Sequence, residues 1–193
     1  MTNVFNDYDV AAVRDLMNGA LLQAADAFSK MVNDTLEVKE VNLTCTQPVD
    51  LFAHYTEAFL LTTEVKGEIQ GKSYLLLDNE EAQVAIAKMR VNDPFNADEL
   101  TIFQKSALLE LDNVLSAAAL TWVANRLNIF CYGDVPHLQK LTHTEIQSFF
   151  KAEADTSSWI IESKLYSHKD QTSPSFIWLF EPDMIYAIKK STK

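Results

Sequence analysis

Residues 97–127, ADELTIFQKSALLELDNVLSAAALTWVANRL, predict one long amphipathic helix. Asn96 is a favourable N-cap residue, and Glu99 three positions later completes a capping-box pattern. Apolar side chains recur at spacings of three and four, the period of a helix face that packs on a core. That face is predicted to comprise Leu108, Leu111, Leu115, Ala118 and Trp122.

The rest of the chain alternates between helical and strand-like segments. A first long helix is predicted from Asp9 to about Met31, where apolar residues again recur at three and four. Strands are predicted at 36–45, 58–66, 73–77, 129–132, 159–166 and 176–180. Short helices are predicted at 80–90 and 144–152, and 184–188 fits either a helix or a strand.

This order of elements predicts an internal duplication within one domain, residues 1–193. Each half begins with a long helix, continues into a strand and ends in a hairpin. The predicted halves are about 8–92 and 93–193. The length of 193 residues suits such a single domain.

Composition excludes several classes of protein. The formal net charge of -11 argues against nucleic acid or an anionic membrane as the main partner, because both require a basic surface. The sequence predicts neither a signal peptide nor a membrane span, so we expect a cytoplasmic protein.

Cys45 and Cys131 are expected to be buried free thiols. The four histidines are scattered and do not predict a metal site.

One polar line on the long helix stands out. Ser106, Glu110 and Asn113 are spaced by four and three residues, so they lie along one face, almost opposite the predicted buried face. The simplest interpretation is the ordinary solvated face of an amphipathic helix. Leu109 and Leu120 flank the line and are predicted to be exposed apolar contacts for a partner.

The spacing of these residues resembles the motif of the CheC/CheX/FliY phosphatases. That motif is Ser or Asp, three residues, Glu, two residues, Asn, twenty-two residues and Pro. Ser106, Glu110, Asn113 and Pro136 match every fixed position. The segment at 67–89, GEIQGKSYLLLDNEEAQVAIAKM, is also similar to the central block of that family. The resemblance extends over nearly the whole chain.

The resemblance implies a fold and a reaction. The implied fold is α+β, with pseudo-two-fold halves and long helices packed on a largely antiparallel sheet of about six strands. The implied activity is hydrolysis of the aspartyl phosphate of a CheY-like response regulator. Asn113 would position the water and Glu110 would pair with a lysine of the regulator. Magnesium would belong to the regulator, so the chain is expected to need no cofactor of its own.

A second copy of the motif is predicted on the first helix, in altered form. Asp15 and Asn18 occupy the positions of Glu110 and Asn113, but Ala11 replaces the Ser or Asp. The proline position is occupied by Val41, and Pro48 follows seven residues later. We expect this second site to be weak or inactive, because a shorter carboxylate has less reach. The alternative is a solvated helix face.

A second interpretation of the whole chain stays open. The same fold could serve as a binding module without catalysis, which docks a response regulator, a flagellar switch protein or a CheD-like deamidase. Homodimer formation through the C-terminal strands is also compatible with the resemblance.

Overall fold

The computed structural model describes residues 7–32, 34–44, 52, 54–154, 159–181 and 183–191. The helices of this part of the chain are α1 (Asp7–Val32), α2 (Asn79–Lys88), α3 (Ile102–Leu127), α4 (His143–Ala154) and α5 (Asp183–Ser191). Its strands are β1 (Leu36–Thr44), β2 (Glu57–Gly67), β3 (Gly71–Leu77), β4 (Cys131–Gly133), β5 (His137–Thr142), β6 (Trp159–Ser167) and β7 (Ser175–Phe180).

All seven described strands join one antiparallel sheet. The order is β1-β6-β7-β3-β2-β4, and β5 pairs with β2 on the same side as β4. The order has a two-fold pattern. The hairpin β2–β3 of the first half pairs through β2 with β4, the first strand of the second half. The hairpin β6–β7 of the second half pairs through β6 with β1, the first strand of the first half. This arrangement confirms the α+β fold with pseudo-two-fold halves. The exact boundary between the halves stays a prediction.

Both faces of the sheet are covered, which explains why β7 is buried along its whole length. Phe176, Trp178 and Phe180 belong to the main core, which includes the apolar faces of α1 and α3. Ile177 and Leu179, on the other face of the same strand, pack in a second cluster with α4. The alternation along one strand thus places the two long helices together on one side of the sheet.

The long helix begins five residues later than predicted. Thr101 is its N-cap: the Thr101 hydroxyl accepts from the backbone N–H of Gln104, and the Gln104 side chain accepts from the backbone N–H of Thr101. Asn96 instead accepts from the N–H of Asp98 in a local turn. Two capping boxes compete in this sequence, and the second one prevails.

Two further features of the sheet differ from the sequence analysis. No strand was predicted at 137–142, because HLQKLT carries no clear alternation of apolar and polar residues; β5 lies there, and within the described residues it pairs only with β2, at the edge. β6 and β7 lie inside the sheet with strands on both sides, so these C-terminal strands offer no free edge for a dimer. Homodimer formation itself stays a prediction.

Trp122 and Ala118 lie less deeply than predicted. Trp122 is 36% exposed, and its indole packs against Gly19, where an added Cβ would lie 2.6 Å from the ring nitrogen. Ala118 is half-buried. The buried face of α3 therefore includes Leu108, Leu111 and Leu115 as predicted, with Ala119 in addition, but not Ala118 or Trp122.

The structure also tests the predictions about the cysteines and about a membrane span. Cys131 is a buried free thiol as expected, whereas Cys45 lies outside the described residues. The prediction that no segment could span a membrane is wrong by length and composition, because α3 is long and apolar enough. Half of its most apolar window is buried inside the fold.

Candidate functional site

The predicted polar line is an exposed face of α3. Ser106, Glu110 and Asn113 are all exposed, and Ala117 extends the same line with a small exposed residue. None of the three polar side chains forms a hydrogen bond or an ion pair with another described residue. Because water can be displaced from them without breaking an internal bond, they are available to a partner protein.

The opposite face of α3 is fixed to the sheet by buried polar side chains. The Thr63 hydroxyl on β2 donates to the Asp112 carboxylate over 2.7 Å, and Ser116 and Ser73 share a hydrogen bond of 2.9 Å. All four side chains are buried. These two bonds set the rotation of α3 about its axis, and hence the direction in which Asn113 points.

Asp112 is an unusual neighbour for the exposed asparagine. Its second carboxylate oxygen is buried without a hydrogen-bond partner. Burial raises the pKa of Asp112 to about 7, although the hydrogen bond from Thr63 lowers it. The sequence analysis missed Asp112, but a signal was available: at four residues after Leu108, it falls on the apolar face.

Pro136 lies beside the helix rather than on it. Leu109 and Pro136 line one open groove of about 510 Å³, together with Lys105 from α3 and residues of β5. The distant proline of the motif is therefore brought to the same groove as Lys105 and Leu109 of α3, although it is separated from Asn113 by twenty-two residues of sequence. The residues of the polar line do not line this groove. Lys140 crosses the same groove and pairs with Asp98 at 2.8 Å.

The two flanking leucines have different outcomes. Leu109 is half-buried, with one side open to the groove. Leu120 is only 2% exposed, so the prediction that it contacts a partner is wrong. The chain turns back after α3, and β4 covers Leu120: the Cys131 thiol lies 3.8 Å from its carbonyl oxygen.

The altered motif on α1 is also exposed. Asp15 and Asn18 point to solvent, as do Ala11 and Leu22. Gly19, next to Asn18, is the residue on which the Trp122 indole packs, so a bulky ring stands near this second line. Pro48 lies outside the described residues, and the predicted weakness of this site stays a prediction.

The chemistry of the line is that of recognition and positioning. Within the described residues, no group of three or more His, Cys, Asp and Glu side chains is placed to hold a metal ion. The line offers one carboxylate, one amide and one hydroxyl on a rigid helix. Such groups can pair with a cation and orient a water, provided that a partner supplies the reacting centre.

The fold is similar to that of several solved structures. FliY from Thermotoga maritima superposes with a TM-score of 0.76 at 16% identity, over 97% of both chains. CheX from Desulfovibrio desulfuricans gives 0.61 at 11% identity, over 86% of this chain and 99% of that one. A chain of the FliG–FliM complex from H. pylori gives 0.66 at 7% identity, over 94% of this chain and 100% of that one.

Sequence comparison alone does not reach these proteins. No protein family and no curated protein matches the sequence. At identities this low, the likeness to the solved structures is one of fold. The chain has the CheC/CheX/FliY fold.

Proposed function

We propose that this protein accelerates hydrolysis of the aspartyl phosphate of a CheY-like response regulator. The observation that carries the proposal is the exposed pair Glu110 and Asn113, which lies on one face of α3 and has no hydrogen-bond or ion-pair partner among the described residues. The fold shared with FliY and CheX supports the same activity. Such a protein would act in the cytoplasm.

The proposed reaction needs little from this chain beyond geometry. Water attacks phosphorus in line with the acyl-phosphate bond; that bond breaks, and the products are inorganic phosphate and the free aspartate of the regulator. Asn113 would hold the water through its amide, which both donates and accepts and adds no charge that repels phosphate. The regulator's bound magnesium would stabilise the charge on the phosphoryl oxygens.

Glu110 would hold the two proteins together. Its exposed carboxylate can form a charge-assisted hydrogen bond with a lysine of the regulator, and this bond strengthens when the interface excludes water. One turn further, Ser106 continues the same face. The role of Glu110 is thus anchoring, whereas Asn113 acts at the reacting centre.

The direct test is release of inorganic phosphate from a phosphorylated CheY-like receiver domain with magnesium present. Adding the purified protein is expected to shorten the lifetime of the phosphorylated receiver. A lifetime equal to that of the receiver alone would contradict the proposed activity.

Glu110→Ala is expected to weaken binding more than chemistry. Loss of a charge-assisted bond should raise the receiver concentration for half-maximal rate about tenfold, with a smaller change in the maximal rate. Steady-state phosphate release at several receiver concentrations measures both quantities. Asp15→Ala on α1 is the matched control and should leave both unchanged. Equal effects of the two variants would argue against the assigned role of Glu110.

A non-catalytic docking module is the second candidate function. The observation that favours it is the shared fold with a chain of the FliG–FliM complex, a protein–protein assembly. Its partner would be a response regulator, a flagellar switch protein or a CheD-like deamidase. A complex that forms with the phosphorylated receiver and releases no extra phosphate would support this function and exclude the first.

A further inference from the structure

Two large apolar side chains are exposed in the first turn of α3. Ile102 is 74% exposed and Phe103 is 67% exposed, more than any other large apolar residue of this helix. Water-exposed aromatic and aliphatic side chains side by side are unfavourable unless a partner covers them.

The position of this pair relates it to the candidate site. Phe103, Ser106, Glu110 and Asn113 follow at spacings of three, four and three, which places them along one helix face. Ile102 precedes Leu109 by two turns and so lies on the same side as the groove that Leu109 and Pro136 line. At about 100° per residue, the whole set falls within an arc of roughly 120°.

The usual size of a protein interface indicates that a partner bound at Asn113 would also cover Ile102 and Phe103. Phe103 precedes Asn113 by ten residues, which corresponds to about 15 Å along the helix axis. A stable interface buries about 800 Å² on each partner, the area of a disc of about 16 Å radius. A protein seated on Asn113 would therefore reach Phe103 as well.

We propose that Ile102 and Phe103, with Leu109, form the apolar anchor for the receiver domain whose aspartyl phosphate Asn113 reaches. This inference rests on the proposed function. The partner surface it requires is an apolar patch about 15 Å from the phosphorylated aspartate, with a lysine between the two. Apolar contact at the rim excludes water from Glu110 and so strengthens its ion pair.

Phe103→Ser tests the anchor. The receiver concentration for half-maximal phosphate release should rise about tenfold, while the maximal rate stays within about twofold of the unchanged protein. Ile102→Ser should act in the same direction. Tyr186→Ser is the matched control, because Tyr186 is also 67% exposed but lies on α5; it should leave both quantities unchanged.

Binding to a receiver domain loaded with beryllium fluoride, an acyl-phosphate mimic, separates this inference from the proposed activity. A receiver that binds but loses no phosphate would contradict the activity alone, and weaker binding by Phe103→Ser would still support the anchor. Unchanged affinity of Phe103→Ser would overturn the anchor. So would conversion of a dimer into monomers by Phe103→Ser without loss of receiver affinity, because the pair would then be covered by a second copy of this chain.

Discussion

Asn113→Ala is expected to lower the maximal rate of phosphate release about 10²-fold while the receiver domain still binds. The side chain is exposed on a rigid helix and forms no internal hydrogen bond with a described residue, so its removal should leave the fold intact. The lost contribution is the orientation of one water, which free solvent does not reproduce. Single-turnover phosphate release with saturating protein measures the effect directly.

Two variants sharpen this test. Asn18→Ala removes the corresponding amide on α1 and should leave the rate unchanged if that site is inactive. Asn113→Asp keeps the size of the side chain, but the negative charge repels phosphate and removes the donor, so it should be as slow as Asn113→Ala. A fast Asn113→Asp protein would contradict a role in which the amide holds water beside phosphorus. An Asn18→Ala protein that is slow would show that the first helix carries activity after all.

The fold was predictable from the sequence because its signals are local. Helical periodicity identified α1 and α3, and most strand segments were found within a few residues. The edge strand β5 was missed because a strand that pairs on one side and stays half-exposed needs no apolar alternation. Its formation depends on β2, which lies far away in the sequence.

The candidate site was predictable in part for the same reason. Spacing alone placed Ser106, Glu110 and Asn113 on one exposed face. The prediction that Leu120 is exposed was wrong, because β4 covers this residue after the chain has turned back. Helical geometry describes the sides of a helix, but only the tertiary structure determines which side another element covers.

The start of α3 has a consequence for the site. A helix from Ala97 would place Ile102 and Phe103 within its second turn, as two apolar residues among many. The capping box of Thr101 and Gln104 places them at the first turn, where little of the chain covers them. The exposure of Ile102 and Phe103 therefore depends on where α3 begins.

The second large effect, on stability, is expected from Asp112 on the buried face of the same helix. Its ordinary pKa of 3.8 is raised to about 7 in the folded protein, chiefly by burial. The folded state therefore holds a proton that the unfolded state has released between these two values, and stability falls as the pH rises from about 4 to about 7. Above that range the penalty is constant, on the order of 4 kcal/mol at most.

Asp112→Asn should remove this dependence, because an amide stays neutral throughout. The difference in unfolding free energy between Asp112→Asn and the unchanged protein should grow in favour of the variant across that pH range and then level off. Burial also raises the pKa of Glu81 to about 7, so the difference between the two proteins, rather than either curve alone, isolates Asp112. Urea unfolding at closely spaced pH values measures it.

Thr63→Val provides the companion variant. The hydrogen bond from Thr63 lowers the pKa of Asp112, so its loss should move the upper end of the slope to higher pH. In the Asp112→Asn background the same substitution should have no such effect. Parallel curves for Asp112→Asn and the unchanged protein would show that Asp112 stays ionised in the fold. The buried carboxyl of Asp112, the residue before Asn113, would then carry a charge, and the hydrogen bond from Thr63 would have to offset the cost of burying it.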